Sequence, residues 1–224
     1  MVHWEFEVSH STQLNSTLFP DAAAAAPFIT LSSVHSKLIE MCECLVPQDN
    51  VSDTQFGYRK TRSTEFGCVY LNDIISVFNE SGSSVFVCGL DANKCFDSVW
   101  HDGLFYKLWS RISANRWIFI VTWYRSLRAK VKWNNQMSEA FKVTVGTRQG
   151  SILSPNLFNI FIDDLLKQLQ NSNSGLKIGN QLHNSFAYAD DITLFASNPA
   201  QLQLFVDICY SYAVKWRFSF NLCS

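Results

Sequence analysis

The segment SFAYADDITLFA, residues 185–196, places two adjacent carboxylates, Asp190 and Asp191, between two short apolar runs. Repulsion between like charges and loss of hydration both oppose such a pair beside residues that favour burial. A bound divalent cation would offset that cost, because Mg²⁺ prefers hard oxygen ligands such as carboxylates. The alternative is an Asp-rich hairpin turn, since aspartate suits turn positions.

A third carboxylate, Asp91, follows the run SVFVCGL (84–90), which we predict to be a strand that is apolar on both faces. If the strand ends are neighbours, the three carboxylates can hold two Mg²⁺ ions about 3.5–4 Å apart. Such a pair activates an attacking hydroxyl and stabilises the leaving group of an in-line displacement. The other acidic pair, Asp163 and Asp164, falls inside a predicted helix. We expect one of these two carboxylates in solvent and the other at the edge of the apolar face, in a structural role.

The elements around these residues alternate irregularly between helix and strand. Strands are predicted at 185–189 and 192–196, and as a hairpin around Asn134-Asn135 within 129–145. Hairpins mixed with helices favour an α+β fold. Helices are predicted at 36–45, at 70–80 up to Ser81-Gly82, at 104–112, at 117–127, from Pro155 and from Pro199.

The composition narrows the class of protein. The chain has 224 residues, of which 47% are hydrophobic and 17% charged, so a sizeable core can form. The net charge of −1 means that a nucleic-acid partner would need a local basic patch. The seven cysteines lack zinc-site spacing and are typical of reduced thiols. No signal peptide or spanning segment is predicted, so we expect an intracellular protein, in the nucleus or the cytoplasm, without a membrane partner.

Four segments occur in an order and spacing that resemble reverse transcriptases, in particular those of non-LTR (LINE-like) retrotransposons. FAYADD resembles the [Y/F]xDD motif, and LDANKCFDSVWHDGLFYKL (90–108) resembles the first palm motif, D-x4-[F/Y]-D. GTRQGSILSPNLFNIFIDDLL (146–166) resembles the second, QGxxxSP-LFN. QFGYRKTRST (55–64) resembles the preceding fingers segment, and the matching runs span about residues 28–222.

The resemblance implies a polymerase fold, with fingers and an antiparallel palm sheet packed on helices. It implies a poorly defined segment at 1–27 and a reverse transcriptase domain at 28–224. Within that domain the fingers would take about 28–83 and part of 98–145. The palm would take about 84–97 and 146–224, and the thumb would be absent. The implied reaction is RNA-directed DNA synthesis, with an RNA template, a DNA primer and dNTPs as partners.

The resemblance also assigns the carboxylates. Asp91, Asp190 and Asp191 would be the catalytic residues and would bind two Mg²⁺ ions, with Mn²⁺ as the alternative metal. Phe96 would be the steric gate that rejects the ribose 2′-hydroxyl and so selects deoxynucleotides. Judged without the resemblance, Phe96 is better interpreted as a core aromatic.

Five further residues would bind substrate. Gln149 and Gly150 would line the nucleotide and template pocket, although without the resemblance a plain loop after a strand fits them equally well. Arg59, helped by Lys60 or Arg62, would meet the triphosphate, because guanidinium suits bidentate phosphate contact. The alternative for these three residues is a solvated basic loop.

A second basic group offers either a surface that binds nucleic acid or a solvated helix face and hairpin edge. In the first case its aromatic residues would stack on bases while its basic residues track the backbone. The group consists of Arg125, Arg128, Lys130 and Lys132, interleaved with Trp123, Tyr124 and Trp133.

The sequence departs from the family pattern at two places. Ala26 stands where the family has an arginine, and the final FNLCS lacks the usual lysine. We therefore expect a truncated fragment of a longer polyprotein, which would supply the thumb. A catalytically inactive remnant that at most binds nucleic acid is the alternative. An RNA-dependent RNA polymerase is a third reading, which Ala189 and Phe96 disfavour.

Overall fold

The structure is a computed structural model that describes residues 3–8, 45–49, 51–60, 62–133, 136–147, 151 and 153–221. The strands are β1 (His3–Val8), β2 (Phe86–Ala92), β3 (Leu127–Trp133), β4 (Gln136–Met137), β5 (Phe141–Lys142), β6 (Leu176–Ile178), β7 (Gln181–His183), β8 (Ser185–Tyr188), β9 (Asp191–Ala196) and β10 (Phe220–Asn221). The helices are α1 (Thr64–Glu80), α2 (Cys95–Ser98), α3 (His101–Trp109), α4 (Ala114–Ser126), α5 (Leu153–Gln170) and α6 (Pro199–Trp216).

The central sheet has the strand order β10-β2-β9-β8, and every neighbouring pair is antiparallel. The predicted strands on both sides of the paired aspartates are confirmed as β8 and β9. The predicted strand at 84–90 is confirmed as β2, although it continues to Ala92. Burial alternates along β2, and Val87 remains 46% exposed, so the strand is not buried on both faces.

Helices α5 and α6 cover one face of this sheet. Leu157, Phe161 and Leu165 of α5 are buried in the main core, as is Phe205 of α6. Full burial of such a side chain stabilises the fold by about 1.5–3 kcal/mol. The mixture of helices with antiparallel sheets confirms the α+β class.

The predicted start of each of these helices is close to the observed one. Helix α6 begins at Pro199 as predicted, and the Asn198 side chain caps it by accepting the Gln201 N–H at 2.9 Å. Helix α5 begins at Leu153, slightly before the predicted Pro155. Proline is tolerated there because the N–H groups of a first helical turn have no partner within the helix.

The remaining predicted helices are found where the structure describes them. The helix before Ser81-Gly82 is α1, which begins earlier than predicted and buries Ile74 in a second cluster against β8 and β9. The helices predicted at 104–112 and 117–127 correspond to α3 and α4. Most of the helix predicted at 36–45 lies outside the described residues.

A second sheet is built around β3. Strand β3 pairs antiparallel with β1, β4 and β5, which confirms the predicted hairpin, although Asn134-Asn135 lie outside the described residues. Strand β1 was not predicted, although Trp4, Phe6 and Val8 alternate with polar residues, because its partner lies far along the chain. No helix in the described part of the chain is both long enough and apolar enough to cross a bilayer.

Candidate catalytic centre

The paired aspartates lie at a tight hairpin turn. Tyr188 of β8 pairs with Asp191 of β9, so Ala189 and Asp190 alone connect the strands. Ala189 has a φ of +58°, as the first central residue of a primed hairpin turn requires. An L-residue in this region costs about 1–2 kcal/mol, so other contacts must hold the turn. The predicted hairpin is therefore confirmed, but only Asp190 of the pair lies in the turn, because Asp191 belongs to β9.

Sheet register brings the third carboxylate to the same place. Asp91 of β2 pairs directly with Asp191 of β9 in the antiparallel ladder. Burial, followed by the negative charges of Asp190 and Asp91, raises the pKa of Asp191 above its usual value. Aspartates from two distant segments thus lie within electrostatic reach of one another. Spacing along the chain could not show whether Asp91 lies near Asp190 and Asp191, and the sheet register shows that it does.

Two of the three carboxylates, Asp91 and Asp190, each accept a hydrogen bond from a neighbouring side chain. The Asn221 amide donates to Asp91 Oδ2 at 2.6 Å, and the Cys95 thiol donates to Asp190 Oδ2 at 3.2 Å. Neither partner was foreseen as a site residue. Burial, a hydrogen bond to Asp190 and the charge of Asp190 raise the pKa of Cys95, so the thiol stays protonated as a donor.

The donor chemistry of this centre fits a divalent ion. Three carboxylates offer hard oxygen ligands, and a cation would neutralise the charges of Asp190 and Asp91, which add to burial in raising the pKa of Asp191. Within the described residues, no three His, Cys, Asp or Glu side chains converge closely enough to form a metal-binding group. Asp91 and Asp191 are nevertheless paired in register on adjacent strands.

Phe96 and Tyr58 form an aromatic pair beside the centre. Phe96 is half-buried on the main core, with its ring 5.3 Å from that of Phe158 and 6.2 Å from that of Tyr58. Tyr58 is 54% exposed, and burial followed by the charge of Asp190 raises its pKa. Phe96 thus packs on the core, and its role as a steric gate stays a prediction. Tyr58 was not foreseen.

The segment 51–60 lies against β8 and pairs with it through one parallel bridge, between Gln55 and Ala187. Phe56 N–H donates to the Ala187 carbonyl at 2.8 Å, and Ala187 N–H donates to the Thr54 carbonyl at 2.8 Å. The Gln55 side chain hydrogen-bonds the backbone of Ala189. This segment therefore forms one wall of the hairpin that carries the aspartates.

The predicted triphosphate-binding residues hold the same segment together. Arg59 donates to the carbonyls of Ser52 at 2.9 Å and of Gln55 at 3.4 Å. Arg62 forms an ion pair with Asp53 at 2.7 Å. The structure therefore brings both guanidinium groups to residues 52–55 rather than to the three aspartates. Phosphate contact by these residues stays a prediction.

An open cavity of about 740 Å³ lies beside this segment. Arg59, Lys60 and Arg116 line it together with Asp49 and Tyr58. Three basic side chains around one cavity suit a ligand that carries phosphate. Arg116 was missed because it stands alone within an otherwise apolar helical pattern. Gln149 and Gly150 lie outside the described residues, and their roles also stay predictions.

The second basic group does not stack bases through its described aromatic residues. Trp123 is only 8% exposed and Tyr124 only 1%, because both belong to the buried face of α4. That part of the prediction is wrong. Arg125 and Arg128 are exposed, and the β1–β3 register places Glu7 opposite Arg128. The side chains of Lys132 and Trp133 lie outside the described residues.

The second acidic pair forms a structural charge network. Asp163 is fully buried and accepts hydrogen bonds from Arg111 and the Ser52 N–H, both at 2.6 Å. The prediction that this pair lies between solvent and the edge of the apolar face is therefore wrong for Asp163. Burial would raise the pKa of Asp164, but hydrogen bonds and charge from Lys107 and Arg111 lower it. The structural role itself agrees with the prediction.

Comparison with known proteins agrees with these motifs. Residues 27–222 match the reverse transcriptase (RNA-dependent DNA polymerase) family. The RNA-directed DNA polymerase from mobile element jockey of Drosophila funebris is 34% identical over 140 residues, which are 60% of this chain and 15% of that protein. The retrovirus-related Pol polyprotein from type-2 retrotransposable element R2DM of Drosophila melanogaster is 27% identical over 217 residues, 92% of this chain and 20% of that protein.

A solved structure with a similar fold is apo telomerase from Candida tropicalis truncated from its C-terminal domain. It has a TM-score of 0.59 and 14% identity, over 84% of this chain and 39% of that one. At this identity the likeness concerns the fold alone. The chain spans 15% and 20% of the lengths of the two relatives named above.

Proposed function

Because the chain belongs to the reverse transcriptase (RNA-dependent DNA polymerase) family, we propose that it carries RNA-directed DNA polymerase activity. Its relatives are RNA-directed DNA polymerases of non-LTR retrotransposons, so the resemblance deduced from the motifs is confirmed. In the proposed reaction, dNTPs extend the 3′-hydroxyl of a DNA primer along an RNA template.

One observation carries the proposal. Asp91 and Asp191 are direct partners in the β2–β9 ladder, and Asp190 lies at the adjoining turn. Burial, followed by the charges of Asp190 and Asp91, raises the pKa of Asp191, and a divalent cation would offset the repulsion between these charges. Carboxylates that serve only a structural role pair with basic residues, as Asp163 and Asp164 do.

We assign Asp91, Asp190 and Asp191 as ligands of two divalent ions, Mg²⁺ or Mn²⁺. Ions bound there would supply activation of the primer hydroxyl and neutralisation of charge on the departing pyrophosphate. The chain itself contributes the rigid β2–β9 ladder that fixes two of the ligands. Asn221 and Cys95 would have to release Asp91 and Asp190, or share them, when a cation binds.

The nucleotide would lie beside Phe96 and Tyr58. A half-buried Phe96, packed on Phe158, is held rigidly enough to exclude a 2′-hydroxyl. We assign the basic cavity at Arg59, Lys60 and Arg116 to phosphate groups of substrate or template. Gln149 and Gly150 complete the nucleotide and template pocket in this proposal, with Arg62 supporting the basic segment.

We further propose that the central sheet is the palm of a fingers-palm arrangement. The palm would take about residues 84–97 and 146–224, and the fingers about 28–83 and part of 98–145. The antiparallel sheet on α5 and α6 supports this division, because it holds the three aspartates on one rigid layer.

Primer extension by the purified chain tests the proposal. The assay contains an RNA template, a DNA primer, dNTPs and Mg²⁺, with the Asp190→Asn variant run in parallel. Asp207→Asn is the matched control, because Asp207 is an exposed aspartate on α6. We expect extension by the wild type and the control, and loss of at least about 10³-fold in Asp190→Asn. A folded wild type that does not extend primers would contradict the proposal for this chain.

A further inference from the structure

The side chain of Gln55 forms two hydrogen bonds with the turn of the β8–β9 hairpin, which carries Asp190 and Asp191. The Gln55 side chain is fully buried, and its amide group hydrogen-bonds both the N–H and the carbonyl of Ala189. Gln55 Nε2 donates to the Ala189 carbonyl at 3.0 Å, while Gln55 Oε1 accepts the Ala189 N–H at 2.9 Å. Gln55 Oε1 also accepts the Gly57 N–H at 2.8 Å, so both ends of the amide are satisfied.

These two hydrogen bonds fix the two peptide groups that flank Ala189. The N–H belongs to the peptide shared with Tyr188, and the carbonyl belongs to the peptide shared with Asp190. Holding both peptide planes determines the rotation about the Ala189 backbone, whose φ of +58° is unfavourable for alanine. The direction of the Asp190 side chain follows from that rotation.

Hydrogen bonds to the residues that follow Gln55 hold its backbone in place against the hairpin and helix α5. Phe56 N–H donates to the Ala187 carbonyl, and the Asn159 side chain of α5 donates to the Gly57 carbonyl at 3.0 Å. A Cβ at Gly57 would lie 2.2 Å from the Ala189 nitrogen, so only glycine permits this approach. The segment is therefore locked against both the hairpin and the helix beneath it.

We propose that Gln55 is a positioning residue that holds the Ala189-Asp190 turn in the geometry needed for Asp190 and Asp191 to bind a divalent ion. Its effect on catalysis rests on the proposed polymerase function. Its effects on the turn and on ion binding do not, and they can be measured in a protein without activity.

The test replaces Gln55 by methionine, which keeps the side-chain volume but removes the amide. Exchange of the Ala189 N–H is followed by NMR, and Mn²⁺ affinity by electron paramagnetic resonance. Asn184→Ala is the matched control, because Asn184 is also a buried amide that bonds backbone carbonyls, but those of Leu169 and Ser174. Gln55→Met should speed Ala189 exchange and weaken Mn²⁺ binding, each by about tenfold.

The control should lose thermal stability while changing neither quantity by more than about twofold. Where the wild type extends primers, Gln55→Met should lower kcat about tenfold and leave KM for dNTPs nearly unchanged. If the methionine variant does not fold, the same measurements are made on Gln55→Asn, because the shorter amide cannot reach both peptide groups.

The outcomes separate the two proposals. Wild-type exchange and Mn²⁺ affinity in a folded Gln55 variant would overturn the positioning role. An equal effect of Asn184→Ala would also overturn it, because the effect would then be general destabilisation. Selective weakening of Mn²⁺ binding by Gln55→Met, in a chain that never extends primers, would support the positioning role and contradict the proposed function.

Discussion

Replacement of Asp163 by asparagine should destabilise the fold strongly. Asp163 is buried on α5, and its Oδ2 accepts from Arg111 at 2.6 Å and from Lys167 at 2.7 Å. Its Oδ1 accepts the Ser52 N–H at 2.6 Å. Asparagine has nearly the same volume, so no cavity forms and the change isolates the charge.

The magnitude follows from the partners that remain, and Arg111 keeps its second ion pair, with Asp164 at 2.6 Å, which places the expected loss at the lower end of the range below. An asparagine oxygen can still accept the Ser52 N–H, but its amide N–H₂ group would face two cations. Lys167 is partly exposed and can turn to solvent, whereas the Arg111 side chain is only 15% exposed. Breaking a buried ion pair on one side costs about 3–5 kcal/mol, and we expect a loss at the lower end of that range in the free energy of unfolding.

Urea unfolding followed by tryptophan fluorescence measures this loss, since the chain has seven tryptophans. With a slope of about 3 kcal/mol per M, the unfolding midpoint should fall by about 1 M or more. Asp207→Asn, at an exposed aspartate, should change the free energy by less than about 0.5 kcal/mol. Equal midpoints for the two variants would refute the view that Asp163 anchors a buried charge network.

Three other predictions concern charge and substrate choice. Burial lowers the pKa of Lys107 to about 8, so the folded state loses this proton at a lower pH than the unfolded state does. The stability of the wild type relative to Lys107→Met should therefore rise between about pH 8 and 10, as pH-dependent urea unfolding would measure. Asp190→Asn should lower the pKa of Asp191, because a neighbouring negative charge is removed, and ¹³C NMR titration of the carboxyl group would detect the shift. Phe96→Val should raise ribonucleotide incorporation relative to deoxynucleotide incorporation by about tenfold or more in primer extension.

Sequence reasoning singled out the carboxylates that we propose as catalytic because they lie in short, ordered motifs. The Asp190-Asp191 turn, the two strands around it and helix α6 could all be predicted from local patterns. The pairing of Asp91 with Asp191 could be expected only from the resemblance. It arises from sheet register, which the local pattern of β2 does not specify.

The contacts that sequence reasoning missed are made between distant segments. Gln55 and Ala189 are separated by 134 positions, and a polar residue in a loop gives no sign of such a partner. Trp123 and Tyr124 directly precede a run of basic residues and resemble part of a stacking surface, yet they pack on the core face of α4. Tertiary packing decided both outcomes, so neither could be derived from spacing.

Metal rescue at Asp191 tests the central claim most directly. In an Asp191→Cys variant, the hard carboxylate becomes a soft thiolate, which binds Mg²⁺ poorly and Mn²⁺ or Cd²⁺ better. The account predicts primer extension by the wild type in Mg²⁺, none by the variant in Mg²⁺, and partial recovery of the variant in Mn²⁺ or Cd²⁺. Undiminished extension by the variant in Mg²⁺ would contradict the assignment of Asp191 as a metal ligand.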